Sequence, residues 1–160
     1  MNHQAGVGKK VMNGYSRITA FVALLVFAAL GSAHEAAAQS ADVEAIKDVI
    51  QSAYIDGLQS NGSRDDIRAG FHPSFVMKVY REGEIPNVAI EDWIGRLPPE
   101  GQGPDHTVTA EFPEVHVAGM AAVAAVRVMH DGDLVFTDFM SLYRFPEGWR
   151  IVAKIFNNET

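Results

Sequence analysis

The 160-residue sequence contains no cysteine, which excludes disulfides, thiol catalysis and thiolate metal sites and leaves stability to an ordinary packed core. Positive charge is also scarce. Thirteen Lys and Arg stand against 20 Asp and Glu, for a net charge of −7. Phosphate neutralisation needs Lys and Arg gathered on one face, so neither nucleic acid nor an anionic membrane is an expected partner. No histidine pair has the H-E-x-x-H spacing, and neither a metal nor a cofactor is expected. Internal repeats are absent, and the length fits one domain near the common size of about 100–150 residues.

What the chain does have begins with a leader. Lys9, Lys10 and Arg17 precede an apolar run from Ile18 to Leu30, then small residues and Ala36-Ala37-Ala38, the three-part pattern of a secretory signal peptide. The run is short of the roughly 20 residues that a membrane span needs, although an uncleaved anchor is the alternative and Ala33 offers a second cut. Residues 1–38 are therefore expected to be a signal peptide and 39–160 an exported domain, periplasmic or secreted. Cleavage after Ala38 removes Lys9, Lys10, Arg17 and Glu35, leaving 10 basic against 19 acidic residues and a net charge of −9. Asn61-Gly62-Ser63 and Asn158-Glu159-Thr160 match the glycosylation pattern, which is short enough to arise by chance.

The exported part opens with a helix: Val43, Ile46, Ile50, Tyr54, Ile55 and Leu58 recur at three-and-four spacing, so one stripe must face a core. Asp42 can cap its start, and Gly62 suits the left-handed position past its end. A second helix is expected from Arg64 to Phe71, capped by Ser63, with Asp65 and Asp66 in its first turn and His72-Pro73 as its stop. Ser74 to Arg81 alternates as a strand and turns at Glu82-Gly83-Glu84 towards a short partner at Ile85–Val88. Ala89 to Leu97 forms a third helix carrying Trp93. Strands are then expected at 106–112, 115–117 and 120–130, followed by two long runs, Leu134–Phe145 and Trp149–Phe156. The order indicates α+β, helices on one face of a mainly antiparallel sheet.

Turn residues predict register. Asp131-Gly132 is a two-residue hairpin signal that sets His130 opposite Asp133, and Pro146-Glu147-Gly148 suits a type I turn with a glycine bulge that sets Phe145 opposite Trp149. Strict alternation from these points gives a nearly all-apolar face that includes Ala122, Val126, Phe139, Ser141, Trp149 and Ile151. The other face holds Phe136, Asp138, Met140, Leu142, Lys154 and Phe156 together with Arg127, so Asp138 would lie near both Arg127 and Lys154. A slip of one residue would reverse any of these assignments.

The helix with Tyr54-x-x-x-Leu58, then Phe71-His72-Pro73, Thr137-Asp138-Phe139-Met140-Ser141-Leu142 and Gly148-Trp149-Arg150-Ile151-Val152-Ala153-Lys154-Ile155-Phe156, resembles the lumazine-binding branch of the nuclear transport factor 2-like (SnoaL-like) superfamily over about Ala41–Phe156. The resemblance implies a cone-shaped fold, a strongly curved sheet wrapped around the long helix and enclosing a cavity, commonly as a homodimer. Activity does not follow, because that superfamily mixes enzymes with binding modules.

Each candidate residue has a functional and a structural reading. Asp138 is a general acid or base, or the partner of Lys154 or Arg127. His72 is an acid or base, or a local residue before Pro73; Trp93 is a pocket wall, or core. The resemblance implies for Tyr54 a hydrogen bond into the cavity, against a plain core tyrosine. Steroid-isomerase relatives place carboxyl groups where rough alignment puts Val79 and Ser141, so their proton shuttle has no base here. The favoured expectation is a binding module that holds a small, partly apolar molecule through Tyr54, Trp93, Asp138, Ser141 and Lys154. The alternatives are an isomerase, dehydratase or hydrolase that uses Asp138 or His72 with Tyr54, and a packed domain that works only through its dimer face.

Overall fold

A computed structural model describes residues 37–159, so all but the last two residues of the expected signal peptide lie outside the described residues. Residues from Gln39 onward cluster into one unit. Its helix α1 covers residues 37–59, α-helical to 49 and π-wound over Ile50–Gln59. The apolar spacing does what the pattern predicts, burying Ile46, Ile50, Ala53, Tyr54, Ile55 and Leu58. The π winding, bonded i to i+5, also couples side chains five apart: Gln51 Nε2 donates to Asp56 Oδ1 and Gln59 Nε2 to the Tyr54 hydroxyl, both at 2.8 Å.

Both ends of α1 differ from expectation. The helix runs through Asp42, whose carboxylate instead accepts from Arg144 Nη1 at 2.9 Å and from the Trp149 indole at 3.1 Å, tying the helix to the sheet. Asn61, at φ 56°, rather than Gly62, takes the left-handed position. Gly62 is needed for closeness, since a Cβ there would sit 2.6 Å from the Asp56 carbonyl oxygen. The buried Asn61 amide donates to the carbonyls of Pro99 (2.8 Å) and Gln102 (2.9 Å), so its glycosylation match is used up inside the fold.

Helix α2, Arg64–Gly70, starts as expected, with the Ser63 hydroxyl accepting from the Asp66 N–H. It stops one residue early at Gly70, where a Cβ would lie 2.3 Å from that of Ala53. Strand β1, Phe71–Lys78, begins at once, so His72-Pro73 lies within a strand rather than at a helix end. Its pairing is irregular between Phe71 and Val76, which is where a proline without an N–H is tolerated. Strand β2 is Asn87–Ala89, and α3, Ile90–Ile94, is shorter than expected. Strand β3, Val108–Ala118, is one strand with a bulge between Glu111 and Glu114 where two were expected around Pro113. Strands β4 (Ala121–His130), β5 (Asp133–Phe145) and β6 (Gly148–Asn158) complete a six-stranded sheet in the order β2-β1-β6-β5-β4-β3. All neighbours are antiparallel except β1 and β6. The α+β class with one long and two short helices is as the sequence predicts.

Register is where the structure corrects the alternation. Asp131 (φ 51°) and Gly132 (φ 92°) form the hairpin turn, and His130 opposes Asp133. A bulge then lets Val128 oppose Phe136 while Met129 opposes Leu134, which swaps the parity of β5 against β4. Gly148, at φ 129°, opposes Phe145 directly, in place of Trp149. A second bulge puts Ser141 opposite Ala153 but Leu142 opposite Ile151. The core face therefore carries Ala122, Ala124, Val126 and Val128, then Phe136, Asp138, Met140 and Leu142, then Trp149, Ile151, Lys154 and Phe156. Arg127 falls on the outer face and pairs with Glu111 at 3.7 Å, so it is no neighbour of Asp138.

Candidate functional site

Two strands and one helix place a charge pair inside this core. Asp138 is fully buried and Lys154 is 4% exposed, and they are the only buried charged residues among the described ones. Lys154 Nζ lies 2.8 Å from Asp138 Oδ1 and donates to the Tyr54 hydroxyl at 2.5 Å. That hydroxyl also accepts from Gln59, held one π turn away. The Asp138 carboxylate lies at ion-pair distance from Nζ and bears on the ionisation of both Lys154 and Tyr54 through charge and side-chain hydrogen bonding. Four rings surround the ammonium, with centroids at 4.5 Å (Tyr54), 4.9 Å (Phe156), 5.4 Å (Trp93) and 6.0 Å (Phe136). Their faces present negative charge to a cation, partly replacing lost water.

The electrostatics follow from that burial. Desolvation pushes the Lys154 amine below its ordinary value, opposed by the attraction of Asp138. Tyr54 is raised well above its ordinary value, first by burial and then by the charge of Asp138.

A half-open hollow of about 150 Å³ adjoins the pair, walled by Gln59, Met77, Trp93, Phe136, Lys154 and Phe156. Three of the rings around the ammonium are thus also walls of the hollow. On the sheet's other side a trough of about 470 Å³ is lined mainly by Val123, Ala125, Phe139, Ser141, Ala153 and Ile155, and its charged residues are Lys78, Glu114 and Lys154.

These hollows divide the residues predicted from the sequence. Lys154 borders both, sharing the smaller hollow with Trp93 and the larger trough with Ser141, whereas Tyr54 and Asp138 stand behind Lys154 and line neither. His72 is elsewhere, accepting at Nδ1 from the Ser74 N–H at 3.2 Å and stacked on Phe145 at 4.8 Å between centroids. Gln59, Met77, Phe136 and Phe156 were not singled out beforehand. Alternation places Phe136 and Phe156 on the face of Asp138 and Lys154, whereas nothing in the sequence marks Gln59, which the π winding brings to the Tyr54 hydroxyl. Among the described residues no cluster of His, Cys, Asp and Glu could hold a metal, and no helix is long and apolar enough to cross a membrane.

A family model described as putative lumazine-binding matches residues 41–157. Similar solved structures include an NTF2-like protein of unknown function from Silicibacter pomeroyi DSS-3, 21% identical over 75% of this chain and 98% of its own, with a TM-score of 0.62. Another, from Shewanella baltica OS155, is 21% identical over 76% of this chain and 96% of its own, with a TM-score of 0.60. A third, from Methylobacillus flagellatus KT, is 21% identical over 74% and 93%, with a TM-score of 0.58. They share the NTF2-like fold. No curated protein matches this chain.

Removing one member of the buried pair strands the other. Asp138→Asn is expected to cost about 3–5 kcal/mol in urea denaturation, and Asp138→Leu with Lys154→Met together much less than the sum of the single changes. Additive losses would show that the pair is not coupled.

Tyr54 gives a second prediction, at alkaline pH. Between the ordinary tyrosine value of 10.0 and its raised folded value, only the unfolded chain loses the phenol proton, so stability falls as pH rises above about 10. Lys154 acts oppositely: below its ordinary 10.5 the unfolded chain keeps its proton longer, so stability from this group rises with pH and levels off above 10.5. Thermal melts between pH 10.5 and 12 should therefore show a downward slope that Tyr54→Phe flattens; parallel curves would refute it.

Proposed function

This chain belongs to the putative lumazine-binding family, and from that membership we propose that it is an exported binding domain holding a small, flat, partly apolar molecule in the hollow beside Lys154. The observation that carries the reading is the make-up of the walls. Trp93, Phe136, Phe156 and Met77 supply apolar contact, and only Gln59 and Lys154 supply polar atoms, the usual division between affinity and orientation in a ligand site. The volume of about 150 Å³ is below the roughly 300–1,000 Å³ usual for small-molecule pockets. That favours a compact ligand over a large one, unless the flexible Met77 and Gln59 side chains give way. The leader-like residues 1–38 support export.

Direct acid–base chemistry by Asp138 with Tyr54, or by His72, is the weaker reading. None of the three lines the hollow, and Asp138 reaches it only through Lys154. The trough on the outer face supports the homodimer that the resemblance implies. Val123, Phe139 and Ile155 in the trough and Tyr143 on the same strand as Phe139 are each 52% exposed, a larger apolar display than isolated surface residues make. A second copy of the same face would cover it in a two-fold dimer.

Native mass spectrometry of protein from its own source, with a thermal-shift panel of small heteroaromatic compounds that includes lumazine, tests the binding reading. A ligand at a hundred times its Kd should stabilise the fold by about 2.7 kcal/mol, and Trp93→Ala should weaken binding about tenfold, roughly 1.4 kcal/mol. A panel with no stabilising compound and no co-purified molecule would sink it.

The dimer is tested separately by sedimentation equilibrium. The natural chain should show twice its formula mass, and Phe139→Glu should show it once while keeping the fold; a natural chain that stays monomeric at tens of micromolar would rule the dimer out.

A further inference from the structure

The walls of the smaller hollow and the surroundings of Lys154 together suggest more than passive binding. We infer that Lys154 is a covalent site that forms an imine with a small apolar aldehyde or ketone entering the hollow, with Asp138 holding and returning the proton. The inference rests on the binding proposal only in requiring that the hollow admit a small molecule.

Four features of the site support it. Lys154 shares the hollow with Trp93, Phe136 and Phe156, which leaves an apolar space at its side for a carbonyl carbon. Asp138 is fully buried with one oxygen 2.8 Å from Nζ, within reach to take a proton from it. Burial lowers the Lys154 amine, which raises the fraction in the nucleophilic form. The ring cage stabilises a cation at this position, and the product is one as well.

The step balances. The Lys154 ammonium passes one proton to the Asp138 carboxylate. The freed nitrogen lone pair attacks the carbonyl carbon, the C=O π pair moves onto oxygen, and the second nitrogen proton transfers to that oxygen to give a neutral carbinolamine. Asp138 returns the borrowed proton to the hydroxyl as the C–O bond breaks. Water leaves, and the nitrogen lone pair closes the C=N bond of an iminium. The ion pair at the start and the iminium–carboxylate pair at the end carry the same charges. The buried site thus never holds an uncompensated charge, the state that would cost most there. Tyr54 and Gln59 act as positioning residues, fixing Nζ through the phenol oxygen.

Only three lysines follow residue 38, and Lys47 and Lys78 are internal controls outside the hollow. The folded protein is incubated at pH 7 with benzaldehyde and sodium cyanoborohydride, and labelled peptides are mapped by mass spectrometry. In parallel, benzyl alcohol, which has nearly the same shape but no carbonyl, is titrated against tryptophan fluorescence and thermal stability. The expected result is benzylation of Lys154 at least tenfold faster than of Lys47 or Lys78, with the preference lost in denaturant. Occupancy by benzyl alcohol with label only on Lys47 and Lys78 overturns the imine and leaves the binding proposal standing. Neither occupancy nor Lys154 label overturns both. Because the comparison is made within one unaltered chain, it does not depend on a variant that folds.

Discussion

The contact on which the rest depends is the one between Lys154 and Asp138, made where both groups are buried. Taking two charges out of water costs several kcal/mol each, and a single attraction rarely returns all of it. The structure offsets that cost with what surrounds the ammonium: a phenol oxygen, four ring faces and the carboxylate. Each of these is delivered by a different element. Strand β5 brings Asp138 and Phe136, β6 brings Lys154 and Phe156, α1 brings Tyr54 and Gln59, and α3 brings Trp93. A buried charge pair thereby fixes how helices and sheet must meet, because a shift of any one of them leaves a polar group stranded.

That arrangement is possible only because the sheet is not regular. Without the bulge opposite Ser141 and Leu142, Trp149 and Ile151 could not share a face with Lys154 and Phe156. Without the bulge beyond Val128, the small β4 residues would not face the core alongside Asp138 and Met140. Each extra residue reverses the parity of everything after it. One consequence is two differently built surfaces: an inner face built around one ion pair and a small hollow, and an outer face whose Phe139, Ser141 and Ile155 form an apolar trough, with Lys154 bordering both.

Much of the fold could be read from local patterns. Helical spacing located α1, the Ser63 cap located α2, and Asp131-Gly132 fixed its hairpin, because each depends on neighbours in the chain. Boundaries failed where a tertiary contact took over. Asp42 caps nothing because Arg144 and Trp149, more than a hundred residues away, claim its carboxylate. Gly62 is required by the approach of the Asp56 carbonyl and not by its own torsion. Of the site, the shared face of Phe136, Asp138, Lys154 and Phe156 was legible from alternation within β5 and β6. The error that put Arg127 beside Asp138 came from carrying that alternation across a bulge that no residue type announces.

The sequence alone determined the fold class, the family resemblance, the acidic and cysteine-free character, and the presence of Asp138 and Lys154 on one face. These follow from periodicity, composition and turn chemistry, which act over a few residues. Tertiary structure alone decided that Tyr54 and Gln59 reach Lys154, that Arg127 faces away from Asp138, and that His72 stands apart. Those outcomes depend on where bulges shift register and where a helix winds to i+5 bonding, and both are settled by packing between segments distant in the chain.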